Sequence, residues 1–251
     1  MEKEGEFFGN FEKEPEHNEV EVDFLRHGEP NYSSESNGLT PEGEVQIRDN
    51  AEKIIEKIDP SKEKVVLWSS LAKRAQASEG IIKEVLVKKG IEIDRDSKIS
   101  SIRNFRVKDW DFVRNLFGNE AKEKGISPEI LYTQQGRDKD DKLEVQEDVK
   151  KRADRTFNFI RYFAENANLE GKKLHIIGVS HSEFVGPIIE DIFGPDMGGE
   201  NYIKYGEGLN IKFDYNPQTK EMAISAEFRG QKVDNIVFDK EKRKFIVKKH
   251  E

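Results

Sequence analysis

Two arginines and two histidines carry the chemistry that can be read from this sequence. Arg26 and His27 follow the apolar and acidic run VEVDFL, with Gly28 directly after them. Arg74 stands in LAKRAQAS, just past the apolar run VVLWSS. His181 follows LHIIGVS and precedes SEFVGPIIEDIFG. Guanidinium groups bind phosphate oxygens through two parallel N–H bonds, and helix N-termini add partial positive charge. Neutral imidazole is a nucleophile. If the three runs are neighbouring strands, the four side chains share one crevice, and the natural occupant of that crevice is a dianion.

The elements around these residues make that convergence plausible. VEVDFL, KVVLWSS and KKLHIIGVS are expected to be strands. The last two are continuous apolar runs, which suit strands covered on both faces. Residues 40–58 are expected to form a helix, with Thr40 as N-cap and Pro41 at the first helical position. LAKRAQASEGIIKEVLVKKG is a second helix, closed by Gly90. Residues 143–167 form a long amphipathic helix, and residues 182–194 a further one. Strands alternating with helices require crossover connections and a mostly parallel sheet. The fold class is therefore α/β, a three-layer α/β/α sandwich. In such sheets ligands sit beyond the carboxyl ends of the strands, where Arg26, His27, Arg74 and His181 all fall. From about residue 207 to 228 two alternating runs around a Pro-containing turn form a hairpin. Residues 1–18 are a charged leader, expected to be disordered. Residues 19–251 are one domain, with an insertion at about 112–143.

Composition removes several classes of function. The formal net charge of the 251 residues is -8, which argues against a nucleic-acid partner. There are no cysteines, so thiolate catalysis and Cys-based zinc sites are excluded. No apolar segment is long enough to cross a bilayer, and the N-terminus lacks a signal-peptide pattern. A cytoplasmic protein, monomeric or homodimeric, is expected. His175 lies inside an apolar strand and is expected to serve packing. His17 and His250 are expected to be solvated.

LRHGE, LTPEGEVQ, SSLAKRAQAS and VSHSE resemble, in this order, the signatures of the histidine phosphatase superfamily, the phosphoglycerate mutase-like proteins. Glu144, Asp148 and Arg152 fall where that family often has a similar run. The resemblance covers about residues 20 to 215. It implies a phosphoglycerate mutase-like fold and a small phosphorylated substrate. It also implies a metal-independent phosphomonoesterase with no cofactor, working through a phosphohistidine. His27 would be the nucleophile. Arg26, Arg74 and His181 would hold the phosphate, and Gly28 would let the backbone approach it.

Two departures matter. The family's usual general acid, a glutamate, aligns with Asn104 in IRNFRVKDWDF. Asparagine cannot donate a proton at neutral pH, so Glu183 is the first candidate to replace it, followed by Asp109 and Asp111. Ser33 stands where phosphoglycerate mutases usually have an asparagine, which favours a phosphatase over a mutase-type phosphotransferase. Ser33 and Asn104 are otherwise expected to face substrate. A catalytically weak member that binds a phosphorylated ligand is the third reading.

Overall fold

The computed structural model describes residues 17–32, 38–125, 131, 142–194, 203–239, 241 and 244–248. Leader residues 1–16, Ser33 and insertion residues 126–130 and 132–141 lie outside that set, whereas the leader's last two residues are ordered: His17 Nδ1 lies 2.8 Å from Asp214 Oδ1 and Asn18 opens the first strand.

Nine strands and six α-helices are described. In chain order they are β1 (Asn18–Arg26), α1 (Pro41–Ile55), β2 (Glu63–Ser69), α2 (Lys73–Lys88), β3 (Ile93–Lys98), α3 (Trp110–Arg114), α4 (Ala121–Lys124), α5 (Gln146–Asn166), β4 (Lys173–Ser180), α6 (Ser182–Phe193), β5 (Gly208–Asn216), β6 (Glu221–Phe228), β7 (Gln231–Val233), β8 (Ile236–Asp239) and β9 (Lys244–Val247). Seven strands form one sheet in the order β3-β2-β4-β1-β5-β6-β7, and β8 pairs with β9. The β1–β4, β2–β4 and β2–β3 pairs are parallel, whereas β5 and the strands beyond it run antiparallel. The sequence order departs from the spatial order between β1 and β4, so the carboxyl ends of β1, β2 and β4 lie side by side.

Alternation along the strands divides the core in two. Val20, Val22 and Phe24 point to the face covered by α5 and α6, where they meet Phe157, Ile160, Phe184 and Ile188. The Phe24 ring contacts Phe157 edge-on at 5.2 Å and Phe184 at 5.5 Å. Leu25, Val65, Leu67, Ile177 and Val179 point to the other face, under Ile47 and Ala51 of α1 and Ile82 and Leu86 of α2. This burial on both sides is why the strands read as apolar runs. Helix α1 starts as expected: the Thr40 hydroxyl accepts from Gly43 N at 3.0 Å, and Pro41 opens the helix.

The long helix starts three residues later than the apolar periodicity suggests. Leu143 instead bridges to Val107, and Glu144 is used to hold Arg152. Strand β3, IDRDSK, carries no such sequence signal and is an exposed edge with one apolar residue, whereas β8 (IVFD) and β9 (KFIV) are short apolar runs that were not expected as strands. Around the described part of the expected insertion, Val113, Ala121, Leu131 and Leu143 form a small apolar cluster of their own. Among the described residues no helix is long and apolar enough to cross a membrane.

His175 is not a packing residue. Its Nε2 lies 2.7 Å from Asp23 Oδ2 and its Nδ1 3.1 Å from Glu63 Oε2, so both ring nitrogens donate and the ring is an imidazolium. Burial alone would push its pKa down. The hydrogen bonds to Asp23 and Glu63, and the charges of Asp23 and Glu21, outweigh that and raise it to about 9. Lys173 lies against Glu21 and Glu63 in the same lane. A folded pKa above the unfolded value means stability present below about pH 6.5 and lost as pH rises through about 9. His175→Gln should therefore lower stability much more at pH 6 than at pH 9.5. Urea unfolding at both values checks this, and an equal loss at both would show that His175 is not charged.

Candidate active site

The crevice is built where three strands end. Backbone bonds fix the end of β1: His27 N donates to Ser180 O at 3.0 Å, and Arg26 N to Glu207 O at 2.8 Å. The next residue, Gly28, passes against helix α1. A Cβ on Gly28 would lie 2.2 Å from the Gly43 carbonyl oxygen, and one on Gly43 would lie 2.3 Å from that of Glu29. This mutual backbone approach alone requires glycine at position 28. Gly28 N donates to the Ser78 hydroxyl at 3.1 Å.

His27 and His181 face each other with ring centroids 5.0 Å apart. His27 Nδ1 lies 2.7 Å from the Gly28 carbonyl oxygen, which can only accept, so Nδ1 carries the proton. Nε2 therefore holds the lone pair, and it accepts from Arg74 Nε at 2.9 Å. Arg74 Nη2 reaches His181 Nδ1 at 3.3 Å, and His181 Nε2 lies 2.7 Å from the Ser70 hydroxyl. Arg74, at the head of α2, thus touches both imidazoles and has no carboxylate partner among the described residues. Arg26 donates to the Ile203 carbonyl at 2.7 Å and lies 3.8 Å over the Tyr205 ring, which in turn leans on His27 at 5.6 Å.

Both histidines are held neutral. Burial is the main cause for His27, with the Arg74 and Arg26 charges adding to it against the Gly28 bond, and its pKa falls to about 3. His181 is pushed well below the imidazole range by burial, then by His27 and the arginines. The site is a positive patch with two neutral rings, the electrostatic form suited to receiving an anion.

The other expected residues lie around this centre. Glu183 is in the first turn of α6, one residue past Ser182, whose hydroxyl donates to Glu183 Oε2 at 3.2 Å. Asn104 lies in the loop after Ile102, and Arg152 fastens that loop. Its guanidinium donates to the carbonyls of Ser101, Arg103 and Asn104 at 2.6, 2.8 and 2.9 Å, and pairs with Glu144 at 3.0 Å. Ser180 Oγ adds a bond to the Ile102 carbonyl at 2.5 Å. Neither Asn104 nor Glu183 is in hydrogen-bond contact with His27, Arg74 or His181. Asp109 caps α3 by accepting from Asp111 N and Phe112 N, both at 3.0 Å. Glu29 Oε2 accepts from the Thr40 hydroxyl at 2.8 Å.

Ser70 and Tyr205 were not expected at the site. Ser70 was legible in principle, as the second serine of SSLAKR. Tyr205 lies in a loop with no pattern of its own, held among others by the Gly206 N bond to the Arg26 carbonyl at 3.1 Å, the Arg26 bond to the Ile203 carbonyl and the Asn50 bond to the Gly206 carbonyl. One group outside the crevice has the composition of a cation site: Glu21, Asp23 and His175, with ligand atoms within 4.8 Å of one another. Both nitrogens of His175 are already engaged there, and Lys173 fills the cationic role.

No protein-family model matches the sequence, and no curated protein matches it significantly. Solved structures do match the fold. A mycobacterial glucosyl-3-phosphoglycerate phosphatase is similar with a TM-score of 0.54 at 14% identity, over 84% of this chain and 99% of its own. A phosphoglycerate mutase from Bacillus anthracis gives 0.53 at 14% identity, over 87% of this chain and 96% of its own. The chain has the phosphoglycerate mutase-like fold. A structure described as mycobacterial hydrolase 2 shares it, with a TM-score of 0.52 at 14% identity over 82% of this chain and 89% of its own. The carboxyl ends of β1, β2 and β4 in this phosphoglycerate mutase-like sheet are where Arg26, His27, Arg74 and His181 come together.

Proposed function

We propose that the protein is a histidine phosphatase, a metal-independent phosphomonoesterase that works through a phosphohistidine on a small phosphorylated substrate. The observation that carries this reading is the His27 ring. Its proton is on Nδ1, its Nε2 lone pair accepts from Arg74 Nε, and its pKa is about 3. It is a neutral nucleophile at every ordinary pH.

The substrate phosphate displaces Arg74 from between the two rings and takes its N–H donors instead. His27 Nε2 attacks phosphorus, the P–N bond forms, and the ester P–O bond breaks toward the alcohol. The ring becomes cationic, so its Nδ1–H bond to the Gly28 carbonyl strengthens as the charge develops. With Arg74 bound, His181 Nδ1 accepts and Nε2–H donates to Ser70; once Arg74 turns to the phosphate, the other tautomer, with the Ser70 hydroxyl donating to Nε2, presents Nδ1–H to a phosphate oxygen. Water then attacks phosphorus, the P–N bond breaks, and neutral His27 returns. The arginines stabilise the spread charge in both steps, the main task in phosphoryl transfer.

Protonation of the leaving oxygen sets the range of substrates. Asn104 cannot supply the proton, and Glu183 sits at a helix N-terminus, which favours its charged form. Aryl phosphates, whose alcohols leave unaided, should turn over well and alkyl phosphates slowly. Asn104→Glu should raise alkyl-ester turnover about a hundredfold, the lower end of what general acid catalysis supplies, and leave aryl esters nearly unchanged. Glu183→Gln should lower alkyl-ester turnover alone. Initial rates on both ester classes, with and without chelator, test this. A loss of activity with chelator would end the metal-independent reading. Absence of turnover on any ester, with phosphate binding retained, would favour a binding protein.

A further inference from the structure

A second cavity lies on the α5 side of the sheet, and Arg26, His27, Arg74 and His181 are not among the residues that line it. It has a volume of about 380 Å³ and is bounded by Trp68 of β2, Ile99 and the residues after it, and Arg155 and Phe159 of α5. Four arginines line it: Arg152, which pairs with Glu144, and three others, Arg103, Arg106 and Arg155. None of the three has a side-chain hydrogen bond or acid partner among the described residues, and Arg103 Nε is buried with no acceptor. Elsewhere on this acidic chain Arg48, Arg161 and Arg229 pair with carboxylates. Glu144 offsets Arg152 alone, and Arg106 and Arg155 are exposed, so three guanidinium forks at one cavity are open to a shared anion.

The walls add a second requirement. Trp68 and Ile99 are partly buried, while Phe159 is 58% exposed, a large uncovered aromatic beside the arginines. A bare inorganic anion would leave these surfaces wet. A flat ring would cover them by stacking, on Phe159, Trp68 or a guanidinium plane. The volume falls in the range of small-molecule sites.

We infer that this cavity binds a nucleoside phosphate, with its phosphates on Arg103, Arg106 and Arg155 and its base against Trp68 and Phe159. The site stands apart from the phosphatase reading and does not depend on it. Its ligand would rest on the same loop, residues 101–104, that Arg152 holds at the crevice. Occupancy would therefore bear on the position of Asn104.

The test is a titration of ADP into the full chain at low salt. Trp110→Phe leaves Trp68 as the sole tryptophan reporter. A saturable change in Trp68 emission with half-saturation below about 1 mM is expected. Arg106→Ala with Arg155→Ala should weaken binding at least about tenfold, while turnover of an aryl phosphate stays at the parent value. Phe159→Ala should weaken ADP but not pyrophosphate. Arg74→Ala, which disables the crevice, should leave the ADP titration unchanged. Four results would overturn the inference: no saturable change, unaltered affinity in the double variant, loss of the signal with Arg74→Ala, or pyrophosphate binding as tightly as ADP. Thermal melts of each variant separate a lost site from a lost fold.

Discussion

His27→Ala should abolish phosphatase turnover, with a loss of about ten-thousandfold or more, as expected when a nucleophile is removed from a catalytic unit. No other group offers the same line of attack. His181 is fully covered, its Nε2 is held by Ser70, and its Nδ1 meets Arg74. Truncation at position 27 leaves a hole the size of an imidazole against Tyr205 and Arg74. Added imidazole should enter it and restore part of the turnover, a response that loss of folding alone would not show. In the parent protein, labelled phosphate trapped under alkaline conditions should sit on His27. The pH profile carries an independent mark. With its pKa near 3, His27 should not produce an acid limb at the usual imidazole position near pH 6.5. Stability has the matching sign: folding keeps His27 neutral, so the protein should lose stability as pH falls from 6.5 toward 3. Full activity of His27→Ala would remove the phosphohistidine mechanism.

Much of this architecture could be read from residue order, and the reasons differ by element. β1, β2 and β4 are buried on both faces, and helices need amphipathic faces, so both leave patterns. Strand β3 is an edge held by backbone pairing with β2 and by polar contacts such as Lys83 with Asp96 and Lys98 with Glu79, and its six residues need no apolar run. At the site, Arg26, His27, Arg74 and His181 were placed by position: each follows a strand that the sheet order sets beside the next. What could not be read depends on contacts between distant segments. The approach of Gly28 to Gly43 looks from sequence like a glycine reserved for ligand. His175 looks like an apolar-strand residue until β1 and β2 bring Asp23 and Glu63 to its two nitrogens. Tyr205 is placed by a loop whose path is set by bonds to the end of β1. The segment that carries Asn104 is clamped through its carbonyls by Arg152 and Ser180, contacts that place no demand on its side-chain types and so leave no mark in the sequence.

Arg74→Ala should lower turnover by about a hundredfold to a thousandfold, the usual loss for a single donor aimed at developing charge, or about 2.7–4 kcal/mol. The geometry makes the arginine more than a surface charge. It is the one group in contact with both imidazoles, and a phosphate placed between them meets its N–H fork first. Affinity for orthovanadate, measured by calorimetry, should fall in parallel, because the same donors hold the analogue. Arg74→Lys separates charge from shape. A lysine keeps the positive charge but cannot bond two oxygens in a plane, so it should recover part of the binding and little of the rate. The His27 ring supplies a further readout. Burial is the larger cause of its low pKa and the Arg74 charge the second, so removing that charge should raise the pKa while leaving it below the free imidazole value. A titration of the ring resonances follows that shift directly. Unchanged vanadate affinity in both variants, with the ring titration also unmoved, would mean that the anion does not sit between His27 and His181, and the crevice would need another occupant.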